Sequence, residues 1–248
     1  VFDLECKDLY NAPVQNNRRG SIRPRRRARS LAVDLDELLE EAQIDCSKIK
    51  PNFIPDFPVC YSKDIDVSFA LSMYDKSSTS EVVYKAAFSE LVDLRYKDHL
   101  HFYTDGSKKD EKASYGFFSS LGVGSARIRD DSSIFSAEIG AIFRVLSHTA
   151  VSPRTKGKFV IFCDSKSVLE SIQNQDCKNV LVKELHDKMQ RIIHSSKKVV
   201  DFCWVPSHKG IHGNEEADKA ADRARNRSED VQYLFPYTDY HPKVQQFI

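Results

Sequence analysis

The chain has 248 residues, enough for one full domain and part of another, and its formal charge of +1 excludes a uniformly basic nucleic-acid binder. No apolar run reaches the length of a membrane span and no signal peptide opens the chain, so no membrane partner is expected. Six cysteines, none in a CxxC pair and two of them, Cys163 and Cys203, inside expected core strands, fit reduced thiols in an intracellular protein.

Residues 1–30 read as a basic arm or linker that carries Arg18, Arg19, Arg23, Arg25, Arg26, Arg27 and Arg29 around Pro24. Such a run is a solvated linker, a phosphate-binding arm or a nuclear-import signal; composition alone does not separate nucleus from cytoplasm. A start at Val1 reads as a fragment of a longer polypeptide. Residues 31–98 read as a mostly helical connecting region. An amphipathic helix, Leu31 to Ile44, sets Leu31, Leu35, Leu38, Leu39 and Ala42 on one face. A connector with three prolines, Lys50 to Pro58, follows. A second helix, Ser80 to Tyr96, carries Val83, Tyr84, Ala87, Phe88 and Leu91 as a stripe and leads into Leu100.

Residues 99–228 then alternate in the order β-β-β-α-β-α-α-β-α. Strands are expected near 100–105, 113–119, 124–129, 158–164 and 199–205, and helices near 134–149, 166–174, 180–194 and 214–226. Three antiparallel strands followed by parallel ones joined through helices give an α/β fold, a five-stranded mixed sheet flanked by helices. The tail, residues 229–248, contains Pro236, Pro242 and several aromatics and is expected to pack loosely or fray.

Four carboxylates stand where a carboxylate is costly. Asp105 closes the strand LHFYTD and is followed at once by Gly106, so it either caps a turn or holds a metal. Glu138 has Ile134, Phe135, Ala141, Ile142 and Val145 at its i−4, i−3, i+3, i+4 and i+7 positions, the middle of an apolar stripe. Ionised and unpaired there, it would cost several kcal/mol. Asp164 ends the continuous apolar run Phe159–Cys163, a strand buried on both faces, at the end where open sheets bind ligands. Asp164 or Ser165 also stands where the next helix needs a cap, and the two roles are compatible. Asp218 lies beside the small-residue face of Ala217, Ala220, Ala221 and Ala224, which lets its helix approach the sheet; Asp222, one turn on, is the competing acid and reads as solvated. Four acids in one crevice repel unless cations neutralise them. An all-oxygen set suits Mg²⁺ or Mn²⁺, and two ions about 4 Å apart clamp a phosphodiester for in-line displacement.

Four stretches, YTDGSK at Tyr103–Lys108, SAEIGAI at Ser136–Ile142, FCDSKSVLESI at Phe162–Ile172 and VPSHKGIHGNEEADKAA at Val205–Ala221, resemble ribonuclease H, in the form carried by non-LTR retrotransposons. The resemblance covers roughly Leu100 to Arg227. It implies a ribonuclease H-like fold and hydrolysis of the RNA strand of RNA–DNA hybrids with two Mg²⁺ ions, for which Mn²⁺ substitutes, leaving 5′ phosphate and 3′ hydroxyl ends. It implies Asp105, Glu138, Asp164 and Asp218 as metal-binding catalytic acids and His208 as the loop histidine that assists turnover. It implies substrate contacts from Gly106, Ser107, Ser133, Ser136 and Ser165, the first two beside the 2′-hydroxyls. A reverse transcriptase domain in the parent polypeptide is the implied partner besides the hybrid.

Two departures qualify the resemblance. Ile134 and Phe135 stand where the family often carries Asn or Gln for the minor groove, so polar contacts fall to Ser132, Ser133 or Ser136. The link near 176–179 leaves no room for a basic protruding loop, so grip on the hybrid falls to something attached. Two other classes share these features in part: an integrase- or transposase-like enzyme of the same fold, and a non-catalytic nucleic-acid-binding remnant.

Overall fold

The structure, a computed structural model, describes residues 39–42, 44, 65–151, 157–228 and 236–240. The chain divides into two compact units, Val1–Ile49 with Tyr240–Ile248, and Lys50–Asp239. In the first, Leu39–Glu41 are helical, within the helix expected over 31–44. The remainder of that helix, the basic run at 18–29 and the proline connector lie outside the described residues.

The second unit is built on one mixed sheet of six strands in the order β1-β6-β5-β2-β3-β4. The strands are β1 Asp66–Ser68, β2 Leu100–Lys109, β3 Lys112–Ser119, β4 Gly122–Arg127, β5 Lys158–Cys163 and β6 Val199–Trp204. The helices are α1 Glu81–Leu91, which continues as a wider turn over Val92–Tyr96, then α2 Ile134–Val151, α3 Lys166–Gln173, α4 Val180–Ser196 and α5 His212–Ala224. The five strands expected from the sequence are present, and the sixth, β1, pairs in parallel with β6 from Asp66↔Asp201 to Ser68↔Cys203. Three residues hold too short an alternation to announce a strand; β1 forms because β6 offers it an edge. Asp66–Ser68, within the helical connecting region expected over 31–98, thus adds a strand to the sheet of the domain that follows.

β5 is central because every residue from Phe159 to Cys163 is buried, which only a strand covered on both faces permits. β2 and β5 pair in parallel up to Thr104↔Cys163, where β5 ends. β2 does not end there. Its antiparallel ladder with β3 continues through Asp105↔Gly116 and Gly106↔Tyr115 to Lys109↔Lys112. The two-residue turn is Asp110-Glu111, both at positive φ (50° and 62°), the primed hairpin geometry. Asp105 is therefore mid-strand, not at a turn, and the Asp-Gly turn reading is overturned. Beyond Cys163 one edge of β2 has no strand beside it, and a crevice opens there.

Helix α5 lies close on β3. Ala217, Ala220, Ala221 and Ala224 are buried, Ser114 Oγ donates to the Ala221 carbonyl at 2.7 Å, and Gly116 faces the helix. A Cβ on Gly116 would stand 2.5 Å from both the Ala217 oxygen and the Ala221 nitrogen, which are backbone atoms that cannot swing aside. Gly116→Ala is expected to cost roughly 1–3 kcal/mol by overpacking and to reduce activity, because α5 carries Asp218. Denaturant unfolding checks this: an unchanged midpoint would mean that the helix shifts freely.

Residues 174–179 alone join α3 to α4, and Asn179 caps α4 by accepting from the Leu181 N–H at 2.9 Å, so no protruding loop stands there. One part of the tail differs from the frayed segment expected, and the rest lies outside the described residues. Tyr237–Tyr240 is a short 3₁₀ turn, and Asp239 within it is only 8% exposed. No helix among the described residues is long and apolar enough to cross a membrane.

Candidate active site

Three elements bring three acids to the open edge of β2. Asp105 comes from β2, Asp164 follows the last residue of β5, and Glu138 reaches in from the first turns of α2. One carboxylate oxygen from each lies within 4.8 Å of the others. Asp105 and Glu138 are 7% and 6% exposed. The cause of that proximity is Gly106. With no Cβ it lets α2 press against the strand; an added Cβ would stand 2.6 Å from the Glu138 nitrogen. The Gly106 backbone N–H favours the charged Glu138 carboxylate and tempers the rise in its pKa.

Burial is the main cause of the unusual titration of all three. It pushes the Asp105 carboxyl up to about 8, with Asp164, Asp218 and Asp222 adding repulsion. It raises Glu138 well above the ordinary range, with Asp164 and Asp105 adding to the rise. Asp164 is raised as well; there the Asn214 amide, then the positive charges of Lys76 and His208, oppose burial. Such a site resists carrying three negative charges unless a cation enters it. That is the fit expected of a divalent metal site made of carboxylate oxygens.

The cleft has a volume of about 390 Å³, and Asp105, Glu138, Asp164 and Asp218 all line it. Asp218 stands outside the tight trio. Its Oδ2 is 3.8 Å from His208 Nδ1, and the His208 side chain, which also lines the cleft, is 77% exposed. His212, one residue into α5, instead packs edge-on against Phe118 with ring centroids 5.7 Å apart, in keeping with its omission from the expected set. Asp222 is half exposed and tied elsewhere, 3.0 Å from Arg225 and accepting from Ser107 Oγ at 2.9 Å. A larger concavity of about 630 Å³ wraps the edge strand β4 near Arg144, Arg223 and Arg227, but it contains none of the acids.

The residues expected to touch substrate divide. Gly106, Ser107 and Ser165 line the cleft. Ser107 is also a bridge between β2 and α5, since Arg225 donates to its Oγ at 2.9 Å. Ser165 is the N-cap residue of α3 but makes no side-chain cap bond, so Asp164 and Ser165 are both free of the capping role. Ser133 and Ser136 are occupied: their hydroxyls donate to Asp239 Oδ1 at 2.6 and 2.9 Å. The other Asp239 oxygen has no partner among the described residues.

Two neighbours of Asp164 went unnoticed in the sequence. Buried Asn214 donates to Asp164 Oδ2 at 3.4 Å, and Trp204 Nε1 donates to the Asp164 carbonyl at 3.0 Å. The only hint was their place, Trp204 at the end of the last strand and Asn214 in the first turn of α5.

The chain is 32% identical over 118 residues to the Pol polyprotein of Ovine maedi visna related virus (strain South Africa), a match covering 48% of this chain and 10% of that protein. It is 30% identical over 118 residues to the Pol polyprotein of Caprine arthritis encephalitis virus (strain Cork), with the same coverage. The chain therefore spans about a tenth of the length of these curated relatives. Among solved structures it is similar to LC11-RNase H1 in complex with RNA/DNA hybrid, with 21% identity, TM-score 0.42, and coverage of 50% of this chain and 98% of that one. It is also similar to RNase H1 from Halobacterium salinarum NRC-1, with 19% identity, TM-score 0.40, and coverage of 51% and 96%. The family model described as RNase H matches residues 97–226, just over half of the chain, and contains all four acids and His208, so the chain belongs to the RNase H family.

Proposed function

We propose that this chain is a ribonuclease H that hydrolyses the RNA strand of RNA–DNA hybrids. The observation that carries the reading is the convergence of Asp105, Glu138 and Asp164 within 4.8 Å in a cleft, an arrangement that their mutual repulsion opposes. A fold gains nothing from such a cluster unless a cation is to be held there. Asp105, Glu138, Asp164 and Asp218 are the groups that would hold it. Divalent cations, Mg²⁺ with Mn²⁺ as a substitute and two in the reading we favour, supply a water nucleophile at neutral pH and charge compensation at the leaving oxygen.

The chain's own residues do the rest. Asn214 fixes the Asp164 carboxylate, and the bare Gly106 backbone lets Glu138 approach Asp105. His208, exposed and adjacent to Asp218, is placed to move a proton as product leaves. Selectivity for RNA requires contact with 2′-hydroxyls, a role we assign to the Gly106–Ser107 backbone because both residues line the cleft. Contact through Ser133 and Ser136 requires that Asp239 withdraw. A reverse transcriptase domain in the same polypeptide belongs to the proposal; the Pol polyprotein relatives support it.

The test is cleavage of an end-labelled RNA–DNA hybrid by the purified chain with Mg²⁺ and with EDTA, beside an RNA duplex and a labelled DNA end. Metal-dependent cutting confined to the RNA of the hybrid is the expected result. Joining of the DNA end would instead place the chain with integrases, and binding without cutting would make it a remnant.

A further inference from the structure

His208 has a backbone φ of 53°, and Gly210, two residues on, has φ of 70°. A non-glycine residue in the left-handed region costs on the order of 1–3 kcal/mol and persists only where its surroundings hold it. The hold comes from residues that precede the family domain. Lys76 Nζ donates to Ser207 Oγ, immediately before His208. Immediately after it, Lys209 Nζ donates to the Thr79 carbonyl at 3.0 Å and lies 5.6 Å from the centre of the Tyr84 ring. Gly210 is closed in by Lys85 and Glu81 of α1: a Cβ there would stand 2.1 Å from Lys85 Cε.

The platform that makes these contacts is itself fixed. The Asp75 carboxylate accepts from the N–H groups of Ser77 and Ser78 at 3.0 and 2.8 Å, which locks the turn that carries Lys76. Tyr84 is fully buried and its hydroxyl donates to the Tyr74 carbonyl at 2.9 Å, joining that turn to α1. The turn and the loop are more than 120 residues apart in sequence, and Lys76, Thr79 and Tyr84 all lie outside the matched residues 97–226.

We propose that Lys76 and Lys209 clamp the Ser207–Gly210 loop, and that Lys76 is a positioning residue for His208 supplied by the segment upstream of the RNase H domain. The consequence for the reaction rests on the hydrolase reading above; the clamp itself does not. Lys76 hydrogen-bonds Ser207 and none of the acids, so its loss frees the loop and removes a positive charge near Asp164 but no metal-binding group, and Lys76→Arg keeps that charge.

The experiment compares Lys76→Met, Lys209→Met, the double variant and Lys76→Arg in the full chain, with two readouts. Amide hydrogen exchange of residues 207–210 is expected to quicken by about tenfold or more in each Met variant, with the unfolding midpoint unchanged. Hybrid cleavage is expected to lose about tenfold in kcat with KM within about twofold, and Lys76→Arg is expected to restore most of the loss. Losses in the double variant are expected to fall short of the sum of the single ones, because the clamps act on one loop. Unchanged exchange in Lys76→Met overturns the clamp. Faster exchange with unchanged kcat overturns the positioning role. If the parent chain does not cleave at all, the hydrolase reading is lost and the exchange result alone decides the clamp.

Discussion

Asp105→Asn is expected to abolish hybrid cleavage, by about a thousandfold or more, and at the same time to make the metal-free protein more stable. The two effects have one origin. Folding raises the Asp105 carboxyl from its ordinary 3.8 to about 8, by burial first and then by the charges of Asp164, Asp218 and Asp222. A carboxyl raised in the folded state keeps a proton that the unfolded chain gives up. Stability from this group is therefore complete below its ordinary pKa, falls as pH rises through the interval between the two values, and is absent above about 8. Asn has nothing to titrate and escapes that loss. The parent and the variant should melt alike near pH 4, and the variant should be the more stable near pH 9, by on the order of a few kcal/mol. Mg²⁺ should reverse the order, since it stabilises the parent by binding and gives the variant little. Thermal unfolding across pH, with and without the ion, measures this. A variant that cuts at the parental rate removes Asp105 from the catalytic set. A variant that is less stable at high pH would mean that the fold itself already compensates the charge.

The second large effect is expected at Gly106. A Cβ there would meet the Glu138 nitrogen at 2.6 Å, its Cγ at 2.9 Å and the Ala137 carbonyl carbon at 3.0 Å. Two of these are helix backbone, so α2 must move as a body and Glu138 with it. Displacing a reacting group by about 1 Å costs roughly 100-fold in rate, and overpacking costs roughly 1–3 kcal/mol in stability. Gly106→Ala should therefore lower kcat and the denaturation midpoint together. This outcome separates two roles. If the midpoint is unchanged and only KM rises, Gly106 serves as a contact for the hybrid and not as the seat of α2.

Glu138 and Asp164 were legible in the sequence because each stands out within one local period. Glu138 sits in the apolar stripe of its own helix, and Asp164 ends a strand apolar on both faces. The extent of β2 was not legible. Asp105-Gly106 has the composition of a turn, and it stays in the ladder because Tyr115 and Gly116 lie opposite and α2 needs the bare backbone. β1 was hidden for a related reason, since its three residues become a strand only against β6.

By itself, then, the sequence determined the order of elements from β2 to α5 and the costly placement of Glu138 and Asp164, because hydrophobic period and the cost of a misplaced charge act over a few neighbouring residues; His208 stood out only through the resemblance of its motif. Tertiary structure alone decided which oxygens meet, that Asn214 holds Asp164, that Asp239 occupies Ser133 and Ser136, and that Lys76 reaches Ser207. These pairs are separated by 26 (Glu138 and Asp164) to 131 residues (Lys76 and Ser207). Polar contacts at such range leave no periodic trace, since a single hydrogen bond constrains one residue at each end and nothing between them.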